Sequence, residues 1–232
     1  SVKTSRFYPS ASSKWLDLDG LRHIVQPSLN YVFVPRPNKK PSDLPGYEYE
    51  LTSSRLLPIM YPDYNSIDQI DAQNALRIGL RNRLQTRRNG QVEDFLDWNL
   101  YTDWRLNPLE DQNGFADVFS DLSIRPRSWI AFGSGLRLDI DDDIWRVINN
   151  SITFEPQTRW STRVGHFYYL EPGKTSKADR DSVIYTSFAY RFNEDWSFGT
   201  SHYYDAKRGR LSDQVYTLYH DFRSWTGYLD LR

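Results

Sequence analysis

Residues 76–86, LRIGLRNRLQT, decide the fold because they alternate between two kinds of side chain. Their even positions are mostly leucine and isoleucine, whereas their odd positions are arginine, glycine and glutamine. Successive side chains of a β-strand point to opposite faces of a sheet, so a period of two indicates a strand. The alternation resumes over residues 92–104, after the turn signal Arg-Asn-Gly at 88–90. The two segments therefore predict a β-hairpin with one apolar face and one charged face.

The register of this hairpin follows from the requirement that like faces meet. A two-residue loop would place Leu80 opposite Asn99 and mix the faces, because a shift of one residue turns every side chain to the other side. A three-residue loop over 88–90 places Arg81 opposite Asp97, which brings opposite charges together on one face. We therefore predict the three-residue loop.

The length of the alternation indicates what each face meets. Strands of soluble proteins average about five or six residues, whereas about nine to eleven are needed to cross a bilayer at a tilt. Residues 76–86 alternate over eleven positions. The sequence therefore favours a transmembrane β-barrel whose apolar face meets lipid and whose polar face lines a lumen. A soluble β-sandwich, with the apolar face as its core, stays open as an alternative.

Composition narrows the function classes. The 232 residues include 29 basic and 30 acidic ones, a balance that gives no overall field for nucleic acid. No run of eighteen apolar residues is present, so no membrane-spanning helix is expected. These residues contain no cysteine, which excludes disulfides and cysteine metal sites within them. We expect no cofactor and no nucleic-acid partner.

The rest of the chain is predicted to form further strands of the same kind. We predict eleven strands, at residues 21–34, 76–86, 92–104, 115–124, 129–140, 145–154, 158–170, 182–192, 196–204, 213–222 and from 225 onward. Residues 1–19 are predicted to be a loop, 35–65 a proline-rich connection that folds over or into the lumen, and 66–73 a short helical turn. The predicted fold is an all-β, antiparallel up-and-down transmembrane β-barrel segment. Both ends are expected to be cut, so that residues 1–232 form one segment of a larger barrel.

The predicted connections alternate in length, which is typical of outer-membrane barrels. Short turns are predicted near residues 89, 126, 156, 194 and 223, and longer connections at 36–73, 105–114, 171–181 and 205–211, with a short turn at 141–143 as the exception. Aromatic residues collect beside the short turns: Trp129, Trp196, Trp225, Phe154, Phe192 and Phe222. Such a girdle is expected where a barrel wall crosses the membrane surface.

The candidate site residues belong to the charged and small-residue rows. Those predicted to face the lumen are Arg77, Arg81, Arg83, Asp97, Asn99, Asp103, Gly133, Gly135, Arg137 and Asp139. Five arginines of this hairpin are expected to form salt bridges in the lumen with Asp97 and Glu93, and phosphate binding is the alternative: Arg77, Arg81, Arg83, Arg87 and Arg88. The row at 133–139 is expected to contact a partner that plugs the lumen.

The sequence shows no catalytic or metal-binding motif. The four histidines, at 23, 166, 202 and 220, lack metal-ligand spacing. Ser201 and His202 are adjacent in a predicted strand, so their side chains point to opposite faces and cannot pair directly. The acidic run at 141–143 is interpreted as a solvated turn, because a calcium loop needs further spaced oxygen ligands. An enzyme is therefore not expected.

Two blocks of sequence carry a resemblance to a known family. Leu21-Arg22-His23 is followed by Pro27 and Tyr31, and residues 66–74, SIDQIDAQN, run into the strand at 76–86. In these blocks the chain resembles the LptD or organic-solvent-tolerance family of lipopolysaccharide-assembly outer-membrane barrels. The resemblance covers most of the chain and implies the C-terminal half of a very large barrel.

The resemblance also implies a function and partners. Family members receive lipopolysaccharide through a periplasmic bridge and pass it to the outer leaflet by a lateral opening, while a lipoprotein plug, LptE in proteobacterial members, fills the lumen. The implied partners are lipopolysaccharide, the outer-membrane bilayer, an LptE-like plug and the bridge proteins. Proteobacterial members tend to carry adjacent cysteines near the position of Arg223-Ser224, and this chain has none. A diffusion porin, a soluble β-sandwich binding module and an outer-membrane hydrolase remain the alternatives.

Overall fold

The structure is a computed structural model that describes residues 1–39, 43, 45, 72–108, 113–171 and 173–232. These residues form β1 (Thr4–Ser13), β2 (Leu18–Val34), β3 (Gln73–Arg88), β4 (Gln91–Arg105), β5 (Val118–Arg127), β6 (Ile130–Asp139), β7 (Ile144–Gln157), β8 (Trp160–Leu170), β9 (Arg180–Arg191), β10 (Trp196–Asp205), β11 (Arg210–Asp221) and β12 (Thr226–Leu231). A short 3₁₀ helix, Lys177–Asp179, precedes β9. No helix among these residues has the length and apolar character needed to cross a bilayer.

All twelve strands belong to one antiparallel sheet. Each strand pairs with the next one along the chain, from β1 at one edge to β12 at the other. This up-and-down order confirms the predicted all-β fold class of a barrel segment. Within the described ranges no second sheet covers either face, so the alternative two-sheet sandwich does not form there.

The first strand was not expected from the sequence. The prediction of a loop over residues 1–19 is wrong, and the described residues form twelve strands rather than the eleven predicted. β1 pairs with β2 over residues 4–8 and again over 12–13, and Pro9 lies in the register shift between these stretches. A bulge accommodates a proline, which cannot donate to the ladder. Periodicity could not find β1 because its residues are mostly small and polar.

The hairpin formed by β3 and β4 closes with a two-residue turn. Arg88 pairs with Gln91, and the φ angles of Asn89 and Gly90 are 49° and 81°. Positive φ at both central residues is what a type I′ turn requires. The three-residue loop predicted over 88–90 is therefore wrong.

A β-bulge restores the matching of faces that the two-residue turn would otherwise lose. Next to the turn, β4 contains one extra residue, Phe95, which the ladder skips. Beyond the bulge Arg81 lies opposite Asn99, so its predicted position opposite Asp97 is wrong. Because β4 contains this extra residue, its side chains beyond the bulge return to the face that matches β3. The apolar rows of the two strands therefore lie on one face and the polar rows on the other.

The two faces of the sheet differ chemically. The apolar face carries large hydrophobic side chains that are 37–60% exposed, among them Leu29, Ile78, Leu80, Trp98, Phe132, Val164, Ile184, Phe188 and Leu218. The polar face carries the arginine, aspartate, asparagine, serine and glycine residues of the same strands. Few apolar side chains are buried in the described part of the chain: Ile24, Ala75, Ala116, Phe119, Val147 and Leu170. An exposed apolar surface of this extent marks a surface that contacts a membrane or a partner.

The two rims of the sheet differ in their connections. The short-turn rim carries the connections 14–17, 89–90, 128–129, 158–159, 192–195 and 222–225, and the long-loop rim carries 35–72, 106–117, 140–143, 171–179 and 206–209. The turns predicted near 126 and 156 lie two or three residues later, because β5 and β7 continue past them. Most of the predicted proline-rich connection, and the predicted helical turn over 66–73 except for its last two residues, lie outside the described residues.

Candidate functional site

The charged ladder between β3 and β4 forms the first part of the polar face. Arg77 lies opposite Asp103, and its guanidinium donates two parallel hydrogen bonds to that carboxylate, Nε to Oδ1 at 2.6 Å and Nη2 to Oδ2 at 2.8 Å. Asp103 is buried. A bidentate arginine–carboxylate pair of this kind neutralises both charges and satisfies the buried oxygens. The charges of these two predicted lumen residues are therefore neutralised by each other.

The next arginine of β3 forms its ion pair diagonally. Arg81 donates Nε–H to Oδ1 of Asp97 at 2.8 Å and a second bond to Oδ2, although Asp97 lies opposite Arg83 in the ladder. Arg83 is left without an acidic partner among the described residues, and its Nε is buried without a hydrogen bond. Of the five β3 arginines, Arg81 pairs with Asp97 and Arg88 with Glu93, as predicted, whereas Arg77 pairs with Asp103 instead.

Towards the long-loop rim, the polar face carries a stack of planar groups. Arg137 forms an ion pair with Asp117, and its guanidinium lies over the Phe119 ring at 5.4 Å. Phe119 in turn stacks on Tyr101, with ring centroids 5.4 Å apart and planes 11° apart. The Tyr101 hydroxyl donates to Asp121 at 3.1 Å. Stacking and cation–π contacts stabilise this part of the face.

Asp139, the last predicted lumen residue, belongs to a cluster at the long-loop rim. Arg146 is 2% exposed and donates to Asp139 Oδ2 from Nε at 3.0 Å and from Nη2 at 2.6 Å. Arg146 is the extra residue of a bulge in β7, and a bulge can re-aim a side chain. Its Nη1 also donates to the carbonyl oxygens of Glu171 and Lys174 at 3.3 and 2.6 Å. Asp139 is therefore part of a structural clamp.

A polar depression of about 450 Å³ lies between the Arg81–Asp97 pair and the middle of the sheet. It is lined by Arg81, Asp97, Asn99, Asp121, Leu122, Ser123, Gly133, Ser134, Gly135, Asn149 and Ser151. Gly133 leaves little room for a side chain, since an added Cβ would lie 3.1 Å from Ser151 Oγ, whereas a Cβ added at Gly135 would be in ordinary contact with Asp121 Oδ1 at 3.7 Å. The structure thus brings five of the predicted residues together in one concave, hydrogen-bonding surface.

A tyrosine crosses the polar face beside this depression. The side chain of Tyr185 passes over Gly165 and its hydroxyl donates to Asn149 Oδ1 at 3.2 Å. A Cβ added at Gly165 would come within 2.2 Å of the ring. Gly165 therefore has to lack a side chain so that a residue of β9 can reach β7 across β8. This contact was not visible in the sequence, because it depends on three strands at once.

All ten predicted residues share the polar face, but they fall into separate groups. The depression contains Arg81, Asp97, Asn99, Gly133 and Gly135; the long-loop half contains Arg77, Asp103, Arg137 and Asp139; Arg83 lies towards the short-turn rim. Sequence reasoning missed Asp121, Ser123, Asn149 and Ser151 of the depression and the clamp residue Arg146. Charged and small residues at alternate positions of β5 and β7 were the signal that could have found the first four.

Three of the four histidines lie within hydrogen-bond distance of neutral side chains, and His220 lies 3.3 Å from the backbone carbonyl oxygen of Asp195. His166 lies 2.9 Å from the Ser182 hydroxyl, and His202 lies 3.2 Å from the Tyr216 hydroxyl, both on the apolar face. Ser201, by contrast, lies on the polar face, so Ser201 and His202 point apart as predicted. No group of three or more metal-binding side chains occurs in the part of the chain that the structure describes.

The long two-faced strands and the unequal rims define the class of an outer-membrane β-barrel wall. A family model described as LPS transport system D, LptD, matches residues 12–196. The chain therefore belongs to the LptD family, a family of outer-membrane lipopolysaccharide transport components. No curated protein matches the chain.

Proposed function

We propose that this sheet is one section of the wall of a larger outer-membrane β-barrel that inserts lipopolysaccharide into the outer leaflet. The family match over residues 12–196 carries this proposal. The two edge strands, β1 and β12, each have a side that pairs with no other strand of the described sheet. A spanning sheet tolerates no open edge in lipid, so further strands are needed to close the wall.

The strand lengths support a position across the membrane. Eleven of the twelve strands have 10 to 17 residues. At about 3.3 Å per residue and a tilt of about 45°, ten residues cover a height of about 23 Å, close to the apolar band of about 25 Å in such barrels. The apolar face then contacts the hydrocarbon and the polar face meets water.

Aromatic side chains at the short-turn rim support the same orientation. Trp196 stacks on His220 with ring centroids 4.1 Å apart, and Phe222 stacks on Trp225 at 3.9 Å. Trp15, in the first short turn, is 77% exposed. Short turns of outer-membrane barrels face the periplasm, and amphipathic rings are enriched at the level of the head groups. This rim would therefore face the periplasmic bridge that the family uses.

The polar depression is the proposed contact surface for material inside the barrel. Its hydroxyl, amide and carboxylate groups suit the sugars of lipopolysaccharide, and its two glycines leave room for a protein plug of the LptE type. Site-specific crosslinking from Gly133 and Gly135 tests the plug. Recovery of no protein from either position would contradict that part of the proposal.

The transport function can be tested with a photo-crosslinking residue at Asn149, inside the depression. The protein would be studied in its native membrane, with the neighbouring apolar-face position Ile148 as the matched control. Lipopolysaccharide in transit should crosslink at Asn149 and disappear when its synthesis is stopped, whereas resident lipid at position 148 persists. No lipopolysaccharide crosslink at Asn149 would contradict the proposed function.

A further inference from the structure

Charge is distributed unequally along the polar face between the two rims. Arginines Arg22, Arg83, Arg163 and Arg191 lie in the half next to the short-turn rim, and aspartates Asp103, Asp117, Asp139, Asp181, Asp205 and Asp213 lie in the half next to the long-loop rim. In the long-loop half, Arg77 and Arg137 are each paired with an aspartate. Five of the six aspartates pair with arginines of their own half, whereas the four arginines next to the short-turn rim form no ion pair with any residue that the structure describes. The unpaired positive charge therefore lies in the half next to the short-turn rim, here called the basic half.

The basic half contains a pair of arginines that no acid of the described residues neutralises. Arg22 lies opposite Gln85 and Arg83 lies opposite Ile24, so the two arginines are diagonal neighbours on β2 and β3. Diagonal neighbours in an antiparallel ladder lie about 7–8 Å apart, within reach of two long side chains. One bound group can therefore contact both guanidinium groups.

The acids nearest to this pair already have other partners. Both carboxylate oxygens of Asp97 accept hydrogen bonds from Arg81. Asp94 accepts a hydrogen bond from the Gln85 amide at 2.8 Å. Among the residues that the structure describes, Arg83 therefore has no hydrogen-bond or acidic partner, and Arg22 donates to the Ser5 hydroxyl at 3.2 Å but to no acid.

The position of Arg83 Nε makes an external acceptor the simplest account of this arrangement. That nitrogen is buried and forms no hydrogen bond with any residue the structure describes. A buried N–H without an acceptor is unfavourable, and two adjacent like charges are unfavourable as well. A bound anion removes both costs at once. A guanidinium fork fits the oxygens of a phosphate especially well, because it donates parallel hydrogen bonds to two of them.

The geometry points to an anion subsite formed by Arg22 and Arg83 that binds a phosphate group on the saccharide part of lipopolysaccharide. This inference rests on the proposed function, because that function supplies the ligand. The subsite lies in the periplasmic half of the wall, where material entering from the short-turn rim arrives first. Beyond it, Arg77, Arg137 and Arg146 already pair with aspartates, so they do not compete with the subsite for the phosphate.

The test places a photo-crosslinking residue at Gln85, between the two arginines, in the protein in its native membrane. Asp94→Asn is included in every variant, because replacing Gln85 would otherwise release the Asp94 carboxylate beside the arginines. The combined substitution of Arg22→Gln and Arg83→Gln should reduce the lipopolysaccharide crosslink from position 85 about tenfold, as expected for the loss of a charge-assisted contact. Arg83→Lys, which keeps the charge but loses the fork, should reduce it less. The matched control is Arg191→Gln, on the same face and in the same half but on β9, seven strands away from β2, and it should leave the crosslink unchanged.

The ligand itself provides the second arm of the test. With purified protein, lipopolysaccharide stripped of its phosphates should crosslink at position 85 equally weakly in the parent protein and the double variant. A high ionic strength should weaken only the crosslink of the phosphorylated form.

Two results separate failure of the subsite from failure of the proposed function. An unchanged crosslink at position 85 in the double variant, with lipopolysaccharide still captured from Asn149, would overturn the subsite and leave the function standing. Loss of capture from both Gln85 and Asn149 in the otherwise unaltered protein would overturn both. Equal amounts of folded barrel in the membrane, measured by heat-modifiable mobility, show that the variants are comparable.

Discussion

Two buried arginines, Arg88 and Arg146, hold opposite rims of the sheet in different ways. Both are 2% exposed. Arg146, at the long-loop rim, binds the carboxylates of Asp139 and Asp142 and carbonyl oxygens of the next loop. Arg88, at the short-turn rim, donates mainly to backbone carbonyl oxygens. One arginine therefore neutralises buried charge, and the other ties turns together.

The sequence distance of the partners differs as well. Arg88 donates to the carbonyl of Asp17, 71 positions away, at 3.1 Å, and to the carbonyls of Arg125 and Pro126 at 2.8 and 2.9 Å. The first short turn is thereby fixed to the end of β5 across the β3–β4 hairpin. Arg146 acts within 28 positions of its own. Loss of Arg146 would therefore leave a buried carboxylate without a neutralising charge, whereas loss of Arg88 would remove hydrogen bonds that hold a turn in place.

The largest effect is expected for Arg146→Ala. Removing one member of a buried ion pair leaves the carboxylate of Asp139 uncompensated, which typically costs about 3–5 kcal/mol. Urea unfolding of the barrel in lipid vesicles measures this loss. The control is Asp142→Ala, which removes the exposed partner of the same arginine and should cost much less. Equal effects of the two substitutions would show that Arg146 does not neutralise buried charge.

A smaller and more local effect is expected for Arg88→Ala. The charge-assisted hydrogen bonds to the turn carbonyls are lost, at a cost of about 2–3 kcal/mol. Arg127 still donates to the carbonyl oxygens of Trp15 and Lys14, so the turn at 14–17 should be loosened and not fully released. Trypsin should therefore cleave after Lys14 faster while β3 and β4 stay protected. Arg87→Ala, an exposed neighbour, is the control. Unchanged cleavage after Lys14 would contradict the tie between the turns.

Between the rims, Gly165→Val tests how the wall itself is held. The new side chain would overlap the Tyr185 ring, and overpacking of this kind costs about 1–3 kcal/mol. The double substitution with Tyr185→Ser should regain most of the lost unfolding free energy, because the ring no longer crosses the glycine. If the losses of unfolding free energy caused by Gly165→Val and by Tyr185→Ser add in the double variant, Tyr185 does not lie over Gly165.

The smallest effect is expected for Arg208→Ala at the long-loop rim. Arg208 pairs with Asp205 at 2.9 Å, but its side chain is 62% exposed. Solvent-exposed ion pairs contribute little to stability. The unfolding free energy should stay unchanged within error, and a loss as large as that for Arg146→Ala would remove the distinction between buried and exposed arginines.

The sequence predicts the faces of this sheet better than its register. The period of two in residues 76–86 correctly places Arg77, Arg81 and Arg83 on one face and the leucines on the other. The bulge at Phe95 was not predicted, because an extra residue next to a turn leaves the alternation on both sides of it intact. The three-residue loop was predicted because the ladder was assumed to be unbroken, and the bulge makes that assumption false.

The site is less predictable than the faces. Arg83 and Arg81 look alike in the sequence, yet only the structure shows that Asp97 binds the diagonal neighbour. Arg146 and Arg88 act through loop groups whose proximity depends on the folded sheet. Alternation reports which face a residue occupies, whereas pairing and burial depend on strands that are distant in the sequence.

The accessibility of each side chain from residue 76 to 86 tests most directly whether the apolar face meets lipid and the polar face meets water. The chain contains no cysteine, so single cysteines can be introduced at each position without further changes. The protein would be labelled in its native membrane with a water-soluble maleimide, before and after addition of detergent.

For a barrel wall we expect cysteines in place of Arg77, Arg81 and Arg83 to be labelled in intact membranes. Cysteines in place of Ile78 and Leu80 should be protected until detergent is added. That result would place the polar face in water and the apolar face in lipid. Protection of positions 78 and 80 in detergent as well, with the protein in the soluble fraction, would mean that the apolar face packs on a protein core. The barrel wall, and with it the proposed transport of lipopolysaccharide, would then be contradicted.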